Sequence, residues 1–262
     1  MSTGIREHAV GGASGAVRVR EYRPPNPSSL LVWAHGGGFS GGSLDMPESD
    51  AVASALADAG HAVVAVDYRL VDAATRYPAP HDDVVTVLRW ALEASDVPVF
   101  VGGASAGGNL AAGAALRTTR EGRGPVGVVL AYPLLHRRVP DAAEAHTDET
   151  VPPEARFDPV KLAALVDAFA PEPEAEAEAD AYAFIGDHPL AGFPRSLVIA
   201  SESDDLRPSS EHFAADLAQA GGDVELVIEP GTLHGHLDLP GEPAFAATIQ
   251  RIHAWMSRVS AG

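Results

Sequence analysis

Five short apolar runs constrain this chain more than any other feature: "SLLVWAH" (29–35), "HAVVAVDYR" (61–69), "VPVFVGG" (97–103), "VGVVLAYP" (126–133) and "RSLVIASES" (195–203). Each holds a stretch that is apolar without alternation. A strand of that kind has no face to give to water, so it must be covered on both sides. Between the runs lie segments with apolar residues at helical spacing, "PESDAVASALADAG" (47–60), "HDDVVTVLRWALEAS" (81–95), "GNLAAGAALRTT" (108–119) and "EHFAADLAQAG" (211–221). Strand and helix patterns that alternate in this way predict an α/β domain with a mainly parallel sheet and helices on both faces. "AVRVREYRP" (16–24) alternates apolar and polar residues and reads as a half-buried early strand. "VELVIEP" (224–230) reads as the last strand and "AFAATIQRIHAWMSRV" (244–259) as the closing helix.

The 262 residues suit one large core, so a single domain is expected over 1–262. The rhythm breaks at about 136–182, a stretch rich in Pro and acid that includes "PEPEAEAEAD" and one helical segment, "DPVKLAALVDAFA". It reads either as a solvated surface loop or as a cap inserted over a site, because long insertions in α/β folds often serve as lids. The formal net charge is −18 and Lys161 is the one lysine. Such a surface repels nucleic acid and anionic membranes at long range, and leaves a solubilising role or the steering of cationic substrates. No apolar run approaches the roughly 18 residues of a membrane span. The absence of cysteine excludes disulfides and thiolate metal or redox sites. "MSTGIREHAV" shows no apolar signal core, so a cytoplasmic location is expected.

Four stretches carry chemistry. Gly103-Ala104-Ser105-Ala106-Gly107 is a G-x-S-x-G between a strand and a helix. Small flanks let the two backbones nearly touch, which lifts Ser105 above the sheet beside the free N–H groups of a helix start. A serine needs a base to become a nucleophile. "WAHGGGFSGG" (33–42) has three consecutive glycines after a buried strand, so bare backbone N–H groups can point into a cavity, as an oxyanion hole requires. The same stretch spells G-x-G-x-x-G through Gly36, Gly38 and Gly41, with Asp67 ending the next strand, which would suit a dinucleotide oxidoreductase. Pro47 delays the helix that such a site needs at the third glycine, and His35 and Phe39 crowd the turn. "ASESDDLRP" (200–208) delivers Asp204 and Asp205 at a strand end, where one carboxylate could orient a histidine and Asp205 could cap the next helix. "EPGTLHGHLDLPG" (229–241) supplies His234 and His236. The H-x-H-x-D spacing through Asp238 is a weak metal signal with no further ligand cluster, so no metal is expected. The order of glycine loop, Ser, Asp and His, each after a strand, is that of an α/β-hydrolase.

On these residues the chain resembles the hormone-sensitive-lipase-like family of α/β-hydrolases, in its bacterial esterase branch, over about residues 17–258. "HGGGF" (35–39), "GASAGGNLA" (103–111), "DYRL" (67–70), "YPAPHDD" (77–83) and Trp90, "ESDDLR" (202–207) and "HGH" (234–236) correspond to its motifs. The resemblance implies an α/β-hydrolase fold with a reduced cap. It also implies hydrolysis of carboxylic esters through an acyl-enzyme; acyl-chain preference does not carry over from the family, and small, short-acyl esters are the expected substrates. Ser105 is then the nucleophile, His234 the base and Asp204 the acid of the triad, with the N–H groups of Gly37, Gly38 and Ala106 as oxyanion hole. Phe39 and His236 are the expected substrate-pocket residues, while Asp67, Arg69 and Asp83 are structural. No cofactor is implied, and homodimer pairing is open. Asp205 stands where the family has Pro, and His236 where it has Phe. An amidase or deacetylase on the same triad, and a non-catalytic ligand receptor on the same fold, are the alternatives. "AVRVREYRP" begins so early that half of the family's usual cap is expected to be missing.

Overall fold

The computed structural model describes residues 3–13, 15–141, 152, 155–171 and 181–262. Eight strands form one sheet in the order β1-β2-β4-β3-β5-β6-β7-β8. β1 (Gly4–Gly12) and β2 (Gly15–Arg23) form an antiparallel hairpin, and β2 pairs antiparallel with β4 (Ala62–Asp67). β3 (Leu30–Ala34), β4, β5 (Val99–Ala104), β6 (Gly127–Ala131), β7 (Ser196–Ser203) and β8 (Val224–Leu233) are mutually parallel. The five apolar runs are β3 to β7, and β3, β5 and β6 are buried at every residue. Burial on both faces is why their sequences do not alternate.

Helices cover both faces. α1 (Pro47–Asp58) and α6 (Pro243–Ala261) pack on one, where Val52, Leu56, Ile252 and Met256 join Trp33 and Phe100. α2 (Ala79–Ala94), α3 (Ala106–Arg120) and α5 (Arg207–Gln219) pack on the other. α3 is buried almost all round by small residues, which fits a helix wedged between the sheet and α2. α4 (Pro159–Phe169) lies in the irregular region, and its N-cap Asp158 accepts the Val160 N–H at 2.9 Å. "PEPEAEAEAD" falls almost entirely outside the described residues, as does 142–151.

"AVRVREYRP" is a half-buried early strand as expected, and an unanticipated strand, β1, precedes it. β1 is exposed along nearly its whole length, with only Val10 buried, so it shows no alternation to read. Its ladder to β2 and the ion pairs Arg6–Glu21 (2.8 Å) and Arg20–Glu7 (2.6 Å) hold it instead. Asp205 does not cap α5, whose N-cap Leu206 receives no side-chain cap. The structural roles of Asp67, Arg69 and Asp83 are visible as ion pairs: Arg69 grips Asp83 at 2.8 and 2.9 Å, and Arg18 meets Asp67 at 3.0 Å. Among the described residues no helix is long and apolar enough to cross a membrane.

Candidate active site

Ser105 sits between the last residue of β5 and the first of α3, with φ 52° and ψ −117°. A non-glycine residue at positive φ is strained and persists only where its surroundings enforce it. Here the enforcement is backbone packing. A Cβ on Gly103 would stand 2.5 Å from the Gly107 carbonyl and 2.6 Å from that of Ala34. A Cβ on Gly107 would overlap the carbonyls of Ala34 and His35. The elbow is also pinned by hydrogen bonds from Ser105 N to Ala131 O (2.9 Å) and from Asn109 N to Ser105 O (3.1 Å).

His234 reaches Ser105 from the end of β8. Its Nε2 is 3.0 Å from Ser105 Oγ and its Nδ1 is 2.8 Å from Asp204 Oδ2. A carboxylate only accepts, so Nδ1 carries the ring proton, Nε2 is the acceptor, and the Ser105 hydroxyl donates to it. Asp204 is 5% exposed, and its other oxygen accepts the Leu206 N–H at 2.8 Å. The partners emerge side by side because a register shift in the β7–β8 ladder between Ser201 and Ser203 brings Leu233 opposite Ser203. Asp205 turns away: it accepts the Phe157 N–H at 2.8 Å and pairs with Arg156 at 3.2 Å. Of the two adjacent acids, only Asp204 meets the histidine.

The glycine loop faces Ser105 from the end of β3. Gly37 (φ 106°) and Gly38 (φ 60°) hold conformations that side chains disfavour. The N–H groups of Gly37, Gly38 and Ala106 find no acceptor among the described residues. The loop is anchored by Tyr68 Oη, which donates to His35 O at 2.8 Å, and by Glu48, which accepts the Gly36 N–H.

The cavity beside Ser105 encloses about 250 Å³. Glycines 37 and 38, Glu48, Tyr132 and Asp238 form one part of its wall; Leu134, Phe157, Leu162, Leu165 and Leu206 form an apolar part. A larger, open groove of about 610 Å³ at the β1–β2 edge holds neither nucleophile nor histidine. Two expected pocket residues lie elsewhere. Phe39 is 1% exposed and stacks on Phe169 behind the wall, centroids 3.9 Å apart. His236 is 4% exposed, with Nδ1 2.9 Å from Ser201 Oγ and Nε2 3.0 Å from Thr248 Oγ1. Burial pushes its pKa down to about 4, so it is a neutral core residue. His234, His236 and Asp238 therefore do not converge on a common point.

Sequence reading missed Glu48, Tyr132 and Phe157. Glu48 is 2% exposed at the second residue of α1, and Tyr132 Oη donates to it at 3.1 Å. Burial, with the Asp238 charge next, pushes its carboxyl up to about 7. The rings of Tyr132 and Phe157 each meet the His234 ring edge-on, centroids 4.9 Å apart. An acid just after the glycine loop and an aromatic just after β6 were the available signals; neither states its partner.

Residues 31–238 match the model of a family described as alpha/beta hydrolase fold. Carboxylesterase NlhH of Mycobacterium tuberculosis is 33% identical over 85% of this chain and 72% of its own length. Ethyl acetate hydrolase of Pseudomonas putida is 31% identical over 82% and 70%. The hyperthermophilic esterase of the archaeon Pyrobaculum calidifontis superposes with a TM-score of 0.86 at 28% identity, over 99% of this chain and 87% of that one.

Proposed function

From the premise that this chain belongs to the α/β-hydrolase family, in its hormone-sensitive-lipase-like branch, and is a carboxylic-ester hydrolase, we propose that Ser105 is its nucleophile. One observation carries the assignment: an unbroken relay from Ser105 Oγ to His234 (3.0 Å) to Asp204 (2.8 Å) beside a partly apolar pocket. His234 Nε2 takes the hydroxyl proton as Oγ adds to the ester carbonyl carbon. The carbonyl oxygen becomes an anion, held by the N–H groups of Gly37, Gly38 and Ala106, which have no competing acceptor among the described residues. His234 then gives its proton to the departing alkoxide, the C–O bond breaks, and an acyl-serine remains. Water adds to that acyl group while His234 removes its proton. The second tetrahedral species collapses as the proton returns to Ser105. Asp204 holds the imidazole in the required tautomer and offsets its charge in both halves.

α4 serves as a cap in this reading, because Leu162 and Leu165 close the apolar part of the pocket and Leu165 leans on Gly38. About 250 Å³ suits a small acyl chain, so short-acyl esters are the proposed substrates. An intact relay favours the enzyme over a ligand receptor, which needs no base. A fluorophosphonate probe should label wild type and not Ser105→Ala, and the variant should lose hydrolysis of p-nitrophenyl acetate. Persistent turnover in Ser105→Ala would refute the assignment.

A further inference from the structure

Resting on that hydrolase reading, we propose that the pocket selects esters whose alcohol part carries an ammonium group, and that Asp238 is the residue that determines this. The first ground is a contrast between acids. Elsewhere in the chain acids of low exposure meet a guanidinium: Glu21 with Arg6 (2.8 Å) and Arg23 (2.9 Å), Asp83 with Arg69 (2.8 Å), Glu229 with Arg251 (3.0 Å), Asp205 with Arg156 (3.2 Å). Glu48 and the half-buried Asp238 have no arginine or lysine partner among the described residues, and none lines the pocket. Burying a carboxylate without a cation is unfavourable, and evolved cores avoid it unless something else supplies the charge.

The second ground is the wall around them. Tyr132 and Phe157 line the same cavity, and each meets the His234 ring edge-on. Aromatic rings beside a carboxylate form the composition that holds quaternary and tertiary ammonium groups. The third is position. Asp238 closes the short turn that follows His234, and Glu48, at the start of α1, lies next to it with its carboxyl on the Gly36 N–H of the glycine loop. His234 must reach the departing alkoxide oxygen, so the alcohol part of the ester is the portion brought nearest these acids. Burial raises the carboxyl pKa of both, and a bound cation would reverse that cost. The net charge of −18 favours the approach of a cation as well.

A simpler role for the two acids is to stabilise the His234 cation, which would speed every ester alike. A matched pair of substrates separates the two: 2-(trimethylammonio)ethyl butyrate and its uncharged carbon isostere, 3,3-dimethylbutyl butyrate. In the wild type kcat/KM should favour the cationic ester by about tenfold or more, the scale of one well-placed ionic contact. Asp238→Asn should bring the ratio near one, and Asp238→Glu should retain part of it. Because the ratio is taken within one preparation, partial misfolding of a variant cancels. Tetramethylammonium should inhibit the wild type competitively, which gives a reading that needs no variant. A wild-type ratio near one, or a ratio unchanged in Asp238→Asn, overturns the proposal. If p-nitrophenyl acetate is cleaved while the ratio is near one, only this inference falls; if p-nitrophenyl acetate is not cleaved either, the hydrolase reading falls with it.

Discussion

Beneath Ser105 the chain packs backbone against backbone. Gly103 and Gly107 touch each other and the end of β3 so closely that neither tolerates a Cβ. Above Ser105, α4 meets the pocket only through side chains, Leu162 and Leu165, and is tied down at its two ends. Phe157 N–H and Arg156 hold Asp205 at one end; at the other Phe169 stacks on Phe39, and Arg137 bonds the Ala170 carbonyl at 2.5 Å. A floor of backbone contacts fixes the positions of reacting atoms. A roof of side chains can change shape and lining without disturbing them. The proposed function accordingly assigns chemistry to the floor and substrate choice to the roof and walls.

Substitutions can break that division or sharpen it. The largest effect is expected at the floor: Ser105→Ala should lower kcat by about ten-thousandfold or more with unchanged circular dichroism. Asp204→Asn should follow at about a thousandfold to ten-thousandfold, through loss of the tautomer. Gly107→Val should cost about 4 kcal/mol or prevent folding, read by urea denaturation, because its side chain has no space between α3 and β3.

Next come the buried titrating groups, with opposite signs. The folded pKa of His236 is depressed to about 4 from 6.5. Its contribution is present above pH 6.5 and lost as pH falls through 4, to a total of about 3 kcal/mol. Glu48 is raised to about 7 from 4.5, so its contribution is present below pH 4.5 and lost as pH rises through 7. Urea midpoints from pH 4 to 8.5 should show the acid limb flattened in His236→Gln and the neutral limb flattened in Glu48→Gln. The smallest effects belong to the roof. Leu165→Ala should shift acyl-length preference by about tenfold in kcat/KM while costing under about 1 kcal/mol, since the side chain is only partly buried. Asp205→Asn should lower activity less than about tenfold, because it fastens Phe157 and not the base. A loss at Asp205 equal to that at Asp204 would erase the distinction between roof and floor.

Much of the floor was legible in order of sequence. The apolar runs without alternation became β3 to β7, and the motifs at their ends became the glycine loop, the elbow, Asp204 and His234. The roof was not legible in the same way. Phe39 and His236 stand inside recognised motifs, yet both face the core, because a motif fixes a residue's neighbours in sequence and not the side on which it packs. β1 escaped because an exposed edge strand has no periodicity to display. Glu48 and Asp238 lie 190 residues apart, and no local pattern joins them.

What the sequence determined by itself is the class of fold and the motifs that hold the groups proposed to react, since burial dictates apolar runs and close backbone approach dictates glycine. What only the tertiary structure decided is which neighbours meet. The pairing of Ser203 with Leu233 sets Asp204, and not Asp205, beside His234. The pairing of Ala104 with Ala131 sets Ser105 beside Tyr132. Strand register is a property of the assembled sheet, and a shift of one residue would have turned each of these side chains to the opposite face.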